Sequence, residues 1–344
     1  MFYWNPEAAE TQCFVNFPCD GHIDFLDEFT LASNPGTSMN YGRQLPHHFS
    51  IQLSISCFFF ALVLTFDSSA LKAGERIELW PSKKSESQAV ITVHLPSQPN
   101  GVAIVICPGG GYGTLVTGPE GHGVASWLNE NGIAGIVLEY ELPRGRSHLP
   151  LADAQQALRV VRANATAWNI DPRRVGVMGF SAGGHLASTA GTHYRLPLVS
   201  DPENAGNGKP AKDLAATNQY RPDFMVLVYP VITMGEQTHK GSRRNLLGEN
   251  PSSELIVEFS NEKQVTSDTP PAFLVHAKDD RVVVPENSKM FHAALKEHGV
   301  DTVYLELPSG GHGLNGYQGP MWKAWQTGLL KWLADQEMAP AIGR

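Results

Sequence analysis

The chain has 344 residues, of which 42% are hydrophobic and 17% charged, and its formal net charge is −8 at neutral pH. Such a chain can bury a large core, so we expect one large domain with appendages. The acidic balance and the absence of a basic cluster argue against a nucleic-acid partner. The 13 histidines form no H-E-x-x-H pattern and the four cysteines no C-x-x-C pattern, so we assign neither a metal nor a cofactor. Metal ligands scattered through the sequence stay open as an alternative.

A 12-residue apolar run, residues 55–66, is the first distinctive segment. It is short for a membrane span and has the length of the hydrophobic region of a signal peptide, and a small-x-small cleavage pattern ending at Ala70 follows it. Because such leaders begin at the N-terminus, we expect translation to start at Met39. Residues 1–70 are then an extension plus signal peptide, and residues 71–344 form one folded domain.

This interpretation predicts a secreted or periplasmic protein without stable membrane association after the leader is removed. All four cysteines lie in the first third of the chain, and the mature domain retains only Cys107. A disulfide-stapled domain would distribute its cysteines differently. The competing interpretation is that the apolar run is a buried strand or helix, or a membrane anchor.

From residue 75 onward apolar strands alternate with helical stretches, which predicts an α/β fold with a mostly parallel central sheet and helices on both faces. The first two strands alternate apolar and polar residues, as in an antiparallel pair leading into the sheet. The predicted strands are residues 76–80, 89–95, 102–107, 133–138, 175–178, 224–229, 272–276 and 303–307. The predicted helices are residues 121–131, 151–168, 182–193, 285–298 and 321–336.

Two long connections interrupt this alternation. Residues 194–223 are rich in Asn, Gly, Pro and charge, and are expected to form a surface excursion without a core. Residues 233–271 mix short apolar pieces with turn residues. Both follow the strand of residues 175–178, so both are candidates for a lid or rim over a site at that end of the sheet.

The run from Val175 to His185 places Ser181 between an apolar strand and a helix-forming stretch, with Gly179 and Gly183 on either side. Glycine lacks a Cβ, which allows strand and helix to approach closely while the central serine holds a strained conformation. This strand–turn–helix form of G-x-S-x-G is the nucleophile elbow, and it makes Ser181 the candidate nucleophile.

A serine nucleophile needs a base and an acid that orients the base, both from the ends of other strands. His312 lies between glycines in the loop after the last predicted strand and is the candidate base. Asp279 and Asp280 directly follow the strand of residues 272–276, and we choose Asp280 as the acid. The order Ser, acid, His is that of α/β-hydrolases. His185 is expected to be a packing residue rather than a second base.

Acyl transfer also needs N–H donors for an oxyanion. The turn Pro108-Gly-Gly-Gly-Tyr112 after the first central strand supplies closely spaced amides, and we predict Gly110 and Gly111 as donors together with Ala182 beside the nucleophile. A glycine triplet also occurs in tight turns and phosphate-binding loops, but no G-K-[ST] follows here.

Seven segments carry a resemblance to a known family: residues 108–112, 138–143, 151–157, 179–187, 229–230, 276–285 and 310–313. Through them the chain resembles the α/β-hydrolase superfamily over about residues 75–336, and within it the bacterial acetyl-xylan or feruloyl esterase-like (BD-FAE-like) branch. Departures are Pro108 in place of the histidine of an HGGG turn and Glu141 where relatives often carry a basic residue.

The resemblance implies a secreted serine esterase that removes small acyl groups, such as acetyl, from plant or algal polysaccharide such as xylan. Its partners are then small-molecule or polysaccharide esters, and residues 71–344 are its catalytic domain. Two alternatives are a serine peptidase of the prolyl-oligopeptidase type and a non-catalytic binding protein with a hydrolase scaffold. The aromatic residues Tyr112, Tyr229 and Trp322 are candidates for stacking on sugar rings or for the core.

Overall fold

In the computed structural model the described residues are 74–81, 89–196 and 219–338, and they build an eight-stranded sheet with helices on both faces. The strand order is β1-β2-β4-β3-β5-β6-β7-β8. The strands are β1 Glu75–Glu78, β2 Val90–His94, β3 Ala103–Cys107, β4 Ala134–Glu139, β5 Val175–Phe180, β6 Met225–Val228, β7 Ala272–Ala277 and β8 Thr302–Leu307.

The predicted α/β architecture is confirmed. Strands β1 and β2 pair antiparallel, β2 joins β4 antiparallel, and from β4 to β8 every neighbouring pair is parallel. Strands β3, β5, β6 and β7 are buried at every residue. Helices cover both faces of such strands, which is why their sequences are continuous apolar runs.

Apart from the four-residue helical turn Leu314–Tyr317, seven α-helices lie in the described part of the chain, and they divide between two apolar cores, one on each face of the sheet. Helices α2, α3 and α6 pack on one face, for example through Leu158, Leu186 and Phe291, and α1 and α7 pack on the other through Leu128 and Trp325. The helices are α1 Gly123–Glu130, α2 Leu149–Ala163, α3 Ala182–Thr192, α4 Lys240–Leu247, α5 Ser253–Glu258, α6 Glu286–Glu297 and α7 Gly319–Asp335.

Several element boundaries differ from the sequence prediction. Residues Gly118–His122 form a π-helical turn before α1, with the His122 amide bonded to the Thr117 carbonyl at 2.8 Å. Helix α2 ends at Ala163, five residues before its predicted end, because the chain turns at Asn164 and packs Trp168 into the core.

The connection of residues 233–271 is more regular than predicted, since it contains α4, α5 and a 3₁₀ turn at Asn261–Lys263. Side-chain caps begin both helices: His239 accepts from the Ser242 amide, and Ser252 accepts from the Leu255 amide. In the other connection residues 197–218 lie outside the described residues. So do residues 1–73, with the signal peptide, the start at Met39 and the boundary at Ala70, which stay predictions.

Among the described residues, every helix falls short of the length and apolar character needed to cross a membrane.

Candidate active site

The turn between β5 and α3 holds Ser181 in a strained backbone conformation, with φ 53° and ψ −119°. The glycines around it make this turn sterically possible. A Cβ added to Gly179 would lie 2.0 Å from the Gly183 carbonyl oxygen, and one added to Gly183 would lie 2.0 Å from the Cys107 carbonyl oxygen. Helix α3 can therefore start directly against β5 and the end of β3 only because these positions lack side chains.

A continuous chain of hydrogen bonds connects the three residues predicted as nucleophile, base and acid. The Ser181 hydroxyl lies 2.9 Å from His312 Nε2, and His312 Nδ1 lies 2.7 Å from Asp280 Oδ2. With Nδ1–H donating to the carboxylate, Nε2 is left to accept the serine proton. The serine is 7% exposed, while the imidazole is 21% exposed at the surface of the site.

The Asp280 carboxylate is buried and well supplied with hydrogen-bond donors. Its Oδ1 accepts from the amides of Val282 and Val283 at 2.9 and 3.0 Å, and His276 Nε2 lies 3.3 Å from Oδ2. Burial raises the pKa of this carboxyl, but the hydrogen bonds from His276 and His312 outweigh burial and hold the pKa well below its ordinary value. Asp280 is therefore a charged partner for His312.

The neighbouring Asp279 has a different set of partners. Its Oδ1 accepts from the Gly311 amide at 2.8 Å and its Oδ2 from the Gly310 amide at 3.3 Å. These bonds, above all the one from Gly311, lower the pKa of the exposed Asp279 carboxyl. Asp279 thus holds the loop that carries His312, whereas Asp280 contacts the imidazole itself.

The glycine loop after β3 lies beside the nucleophile. A Cβ on Gly109 would lie 3.0 Å from the Ser181 Cβ, and the Gly109 amide donates at 2.7 Å to Glu120 Oε2. The next two residues, Gly110 and Gly111, have φ values of 122° and 65°, conformations that glycine adopts without strain. The Gly111 carbonyl accepts from the Asn245 side chain at 2.9 Å, which ties the loop to α4.

The three predicted oxyanion donors lie in these two elements. Gly110 and Gly111 belong to the loop, and Ala182 is the first residue of α3, where backbone amides have no acceptor within the helix. His239 lies over the same loop, because a Cβ on Gly111 would be 3.8 Å from its Cε1. Its Nδ1 accepts from the Ser242 amide at 3.2 Å, and burial lowers its pKa, so Nε2 carries the proton of the neutral ring.

Glu120 was missed by sequence reasoning. Its side chain is 2% exposed, and besides the Gly109 amide it accepts from the Tyr229 hydroxyl at 3.0 Å. Burial raises the pKa of Glu120, against the opposing hydrogen bonds from Gly109, Tyr229 and Tyr317. Only the short π-helical turn brings this carboxylate inward, and no motif in residues 117–122 signals that geometry.

The remaining site candidates are core residues. Tyr112 and Tyr229 are almost fully buried and Trp322 is 9% exposed, so they belong to the two apolar cores. His185 is fully buried between the Tyr112 hydroxyl and the Phe259 carbonyl, at 2.9 and 2.8 Å, and burial lowers its pKa to about 4. These contacts agree with the expected packing role of His185.

No group of three or more His, Cys, Asp or Glu side chains within residues 74–81, 89–196 and 219–338 is arranged to hold a metal ion.

The mostly parallel sheet with helices on both faces and the sharp serine turn after β5 define an α/β-hydrolase fold. The BD-FAE family model matches residues 91–295, more than half of the chain. The chain belongs to the BD-FAE family.

Two relatives share more than a third of their aligned residues with this chain. An acetylxylan esterase of Xylanibacter ruminicola is 39% identical over 233 residues, which cover 66% of this chain and 44% of the relative. An endo-1,4-beta-xylanase B of Butyrivibrio fibrisolvens is 36% identical over 229 residues, covering 65% of this chain and 34% of the relative. The chain therefore spans less than half the length of either relative.

A solved structure matches at greater coverage. The acetyl ester-xyloside bifunctional hydrolase from Caldicellulosiruptor lactoaceticus is 37% identical to this chain, with a TM-score of 0.67, and the match covers 79% of this chain and 99% of that chain. The match therefore spans nearly the full length of that structure.

Proposed function

We propose that this protein is a serine-dependent carboxylic ester hydrolase that removes acetyl groups from a plant or algal polysaccharide such as xylan. The observation that carries the proposal is the hydrogen-bonded chain from Ser181 through His312 to Asp280, at the carboxyl ends of the parallel strands. Sites of open α/β sheets lie at this edge.

In the proposed reaction Ser181 Oγ attacks the ester carbonyl carbon while His312 Nε2 takes the hydroxyl proton. Asp280 holds the imidazole by its Nδ1–H and stabilises the positive charge that forms on the ring. His312 then gives the proton to the departing alcohol, which leaves an acyl group on the serine. Water attacks this acyl-enzyme with His312 again as the base, so the acid is released and the serine is restored.

The tetrahedral oxyanion is proposed to bind amides of Gly110, Gly111 and Ala182. The Gly109 amide is already bonded to Glu120, so the donors come from the next residues of the loop and from the start of α3. A pre-positioned N–H donor contributes roughly a hundredfold or more to such reactions, because the site does not reorganise as charge develops.

The substrate class is proposed from the relatives. The acetylxylan esterase is similar over two thirds of this chain, and the bifunctional structure is described as an acetyl ester hydrolase acting also on xylosides. An acetyl ester on a xylose-based polymer is the chemistry that these descriptions share. Fold and site alone are compatible with many acyl groups, since one fold hosts many functions.

The test is acetate release from acetylated xylan, measured beside hydrolysis of p-nitrophenyl acetate and longer acyl esters. We expect Ser181→Ala to lose about a thousandfold or more in kcat on every substrate while the fold is retained. The exposed serine variant Ser253→Ala is the matched control and keeps full activity.

Serine-dependent release of acetate from the polymer supports the full proposal. Activity confined to small or longer esters moves the substrate away from xylan, and wild-type activity in Ser181→Ala contradicts the serine mechanism.

A further inference from the structure

We propose that Glu120 is a positioning residue for ester hydrolysis, because its buried carboxylate joins the glycine loop beside Ser181 to the tyrosine that packs on His312. The inference rests on the proposed function. Glu120 does not contact the reacting atoms itself, so it acts through Gly109 and Tyr229.

The first connection fixes the glycine loop. Glu120 Oε2 lies 2.7 Å from the Gly109 amide nitrogen, and a Cβ on Gly109 would lie 2.6 Å from the same oxygen and 3.0 Å from the Ser181 Cβ. Gly109 is therefore held closely between the carboxylate and the nucleophile. Because its N–H is bound by Glu120, the orientation of the peptide groups that lead into Gly110 and Gly111 is set before substrate arrives.

The second connection fixes the aromatic ring that packs against His312. The Tyr229 hydroxyl donates to Glu120 Oε1 at 3.0 Å, and the Tyr229 ring centroid lies 4.8 Å from that of His312. Tyr229 has a φ of 38°, an unusual value for a residue with a side chain, and its amide bonds to the Val275 carbonyl at 2.8 Å. The hydroxyl bond to Glu120 holds the far end of this ring, which supports the imidazole.

The test is Glu120→Gln, which is nearly isosteric. Its amide oxygen can still accept from Gly109, and its NH₂ can donate to the Tyr229 oxygen, but the charge is gone. Both contacts then lose their charged acceptor, and hydrogen bonds between neutral groups are weaker, so we expect kcat for p-nitrophenyl acetate to fall about ten- to a hundredfold, with KM changed by less than about threefold.

The split between kcat and KM separates positioning from a structural role. A positioning role predicts that kcat falls while KM and the fold change little, because the loop and the ring that Glu120 orients act on the reacting groups rather than on substrate binding. Tyr229→Phe removes the hydroxyl but keeps the carboxylate, so it should also lower kcat with KM little changed.

Glu130→Gln on the exposed end of α1 is the matched control, with the same change in charge and wild-type kinetics expected. Wild-type kcat in Glu120→Gln overturns the inference, as does a loss that only parallels unfolding seen by circular dichroism. If Glu120→Gln fails to fold, wild-type kcat in a folded Tyr229→Phe overturns it. A wild-type protein without esterase activity refutes the proposed function instead, and this outcome is read before any variant is compared.

Discussion

Two adjacent aspartates follow β7, and their hydrogen bonds predict different consequences of substitution. Asp280 bonds to His312 Nδ1, whereas Asp279 bonds to the amides of Gly310 and Gly311. Asp280→Asn removes the charge that stabilises the imidazolium, so we expect kcat to fall about a thousandfold or more. In Asp279→Asn the remaining side-chain oxygen can still accept from one of the two glycine amides, so we expect kcat to fall by less than about tenfold.

Turnover of p-nitrophenyl acetate by the two variants, with folding checked by circular dichroism, measures this difference. A greater loss in Asp279→Asn than in Asp280→Asn would reverse the assignment of the acid.

At the residue scale, a sequence motif reveals a functional residue when the role of that residue also restricts its neighbours in the sequence. Ser181 requires glycines on both sides, and His312 follows a strand in a glycine-rich loop, so both can be found from the sequence. Glu120 carries no such constraint. Its inward position depends on a π-helical turn and on two tyrosines distant in sequence, at positions 229 and 317, so tertiary structure is needed to find it.

At the element scale, the close approach of α3 to β3 predicts that Gly183 tolerates no side chain. A Cβ there would lie 2.0 Å from the Cys107 carbonyl oxygen and 2.4 Å from that of Pro108, and both atoms belong to the backbone. We expect Gly183→Ala to lower the free energy of unfolding by about 3 kcal/mol or more and to abolish hydrolysis, because α3 must move away from the sheet.

Gly118→Ala provides the control for this prediction, since nothing lies within 4 Å of its added Cβ and its φ is not positive. Guanidinium unfolding of both variants measures the difference. Equal free energies of unfolding in the two variants would contradict the prediction, because they would mean that α3 shifts without loss of stability.

The strands were located from apolar runs, and their boundaries agree with the structure to within two residues. Continuous burial on both faces leaves little ambiguity in β3, β5 and β7. Helix α4 was not predicted. Its sequence is mostly polar, and its position depends on the His239 cap and on the bond from Asn245 to the glycine loop. The bond from Asn245 to the Gly111 carbonyl joins residues 134 positions apart, so no local pattern predicts it.

At the scale of the whole molecule, the sequence order of strands and helices was sufficient to predict an α/β fold with a mostly parallel sheet, because right-handed crossovers leave few ways to arrange alternating strands and helices. The serine turn, the order Ser181, Asp280, His312 and the family resemblance were needed to predict an α/β-hydrolase. The pairing of β2 with β4 rather than with β3, the next strand along the chain, had no signal in the sequence. Buried polar networks between elements were beyond prediction. One of them connects α3 to the segment after α5: Asn261 donates to Ser188 Oγ at 2.7 Å and to Thr189 Oγ1 at 3.0 Å.

Two histidines beside this network make the stability of the whole domain depend on pH. His185 Nε2 lies 2.8 Å from the Phe259 carbonyl and His193 Nε2 lies 3.0 Å from that of Glu258. Burial lowers the pKa of each to about 4, whereas the unfolded chain titrates near the ordinary value of 6.5. Between these values the unfolded state binds more protons than the folded state. The free energy of unfolding is therefore highest above about pH 6.5 and decreases as the pH falls to about 4.

The decline attributable to His193 is about 3 kcal/mol, from the difference between its two pKa values. His193→Gln cannot titrate and its amide can still donate to the Glu258 carbonyl, so its unfolding free energy should fall less between pH 7.5 and pH 4.5 than that of the wild type. His298→Gln, at an exposed position after α6, should keep the wild-type decline. Guanidinium titrations at both pH values measure these differences. The same pH dependence in His193→Gln and the wild type would show that protonation of this buried imidazole does not limit acid stability.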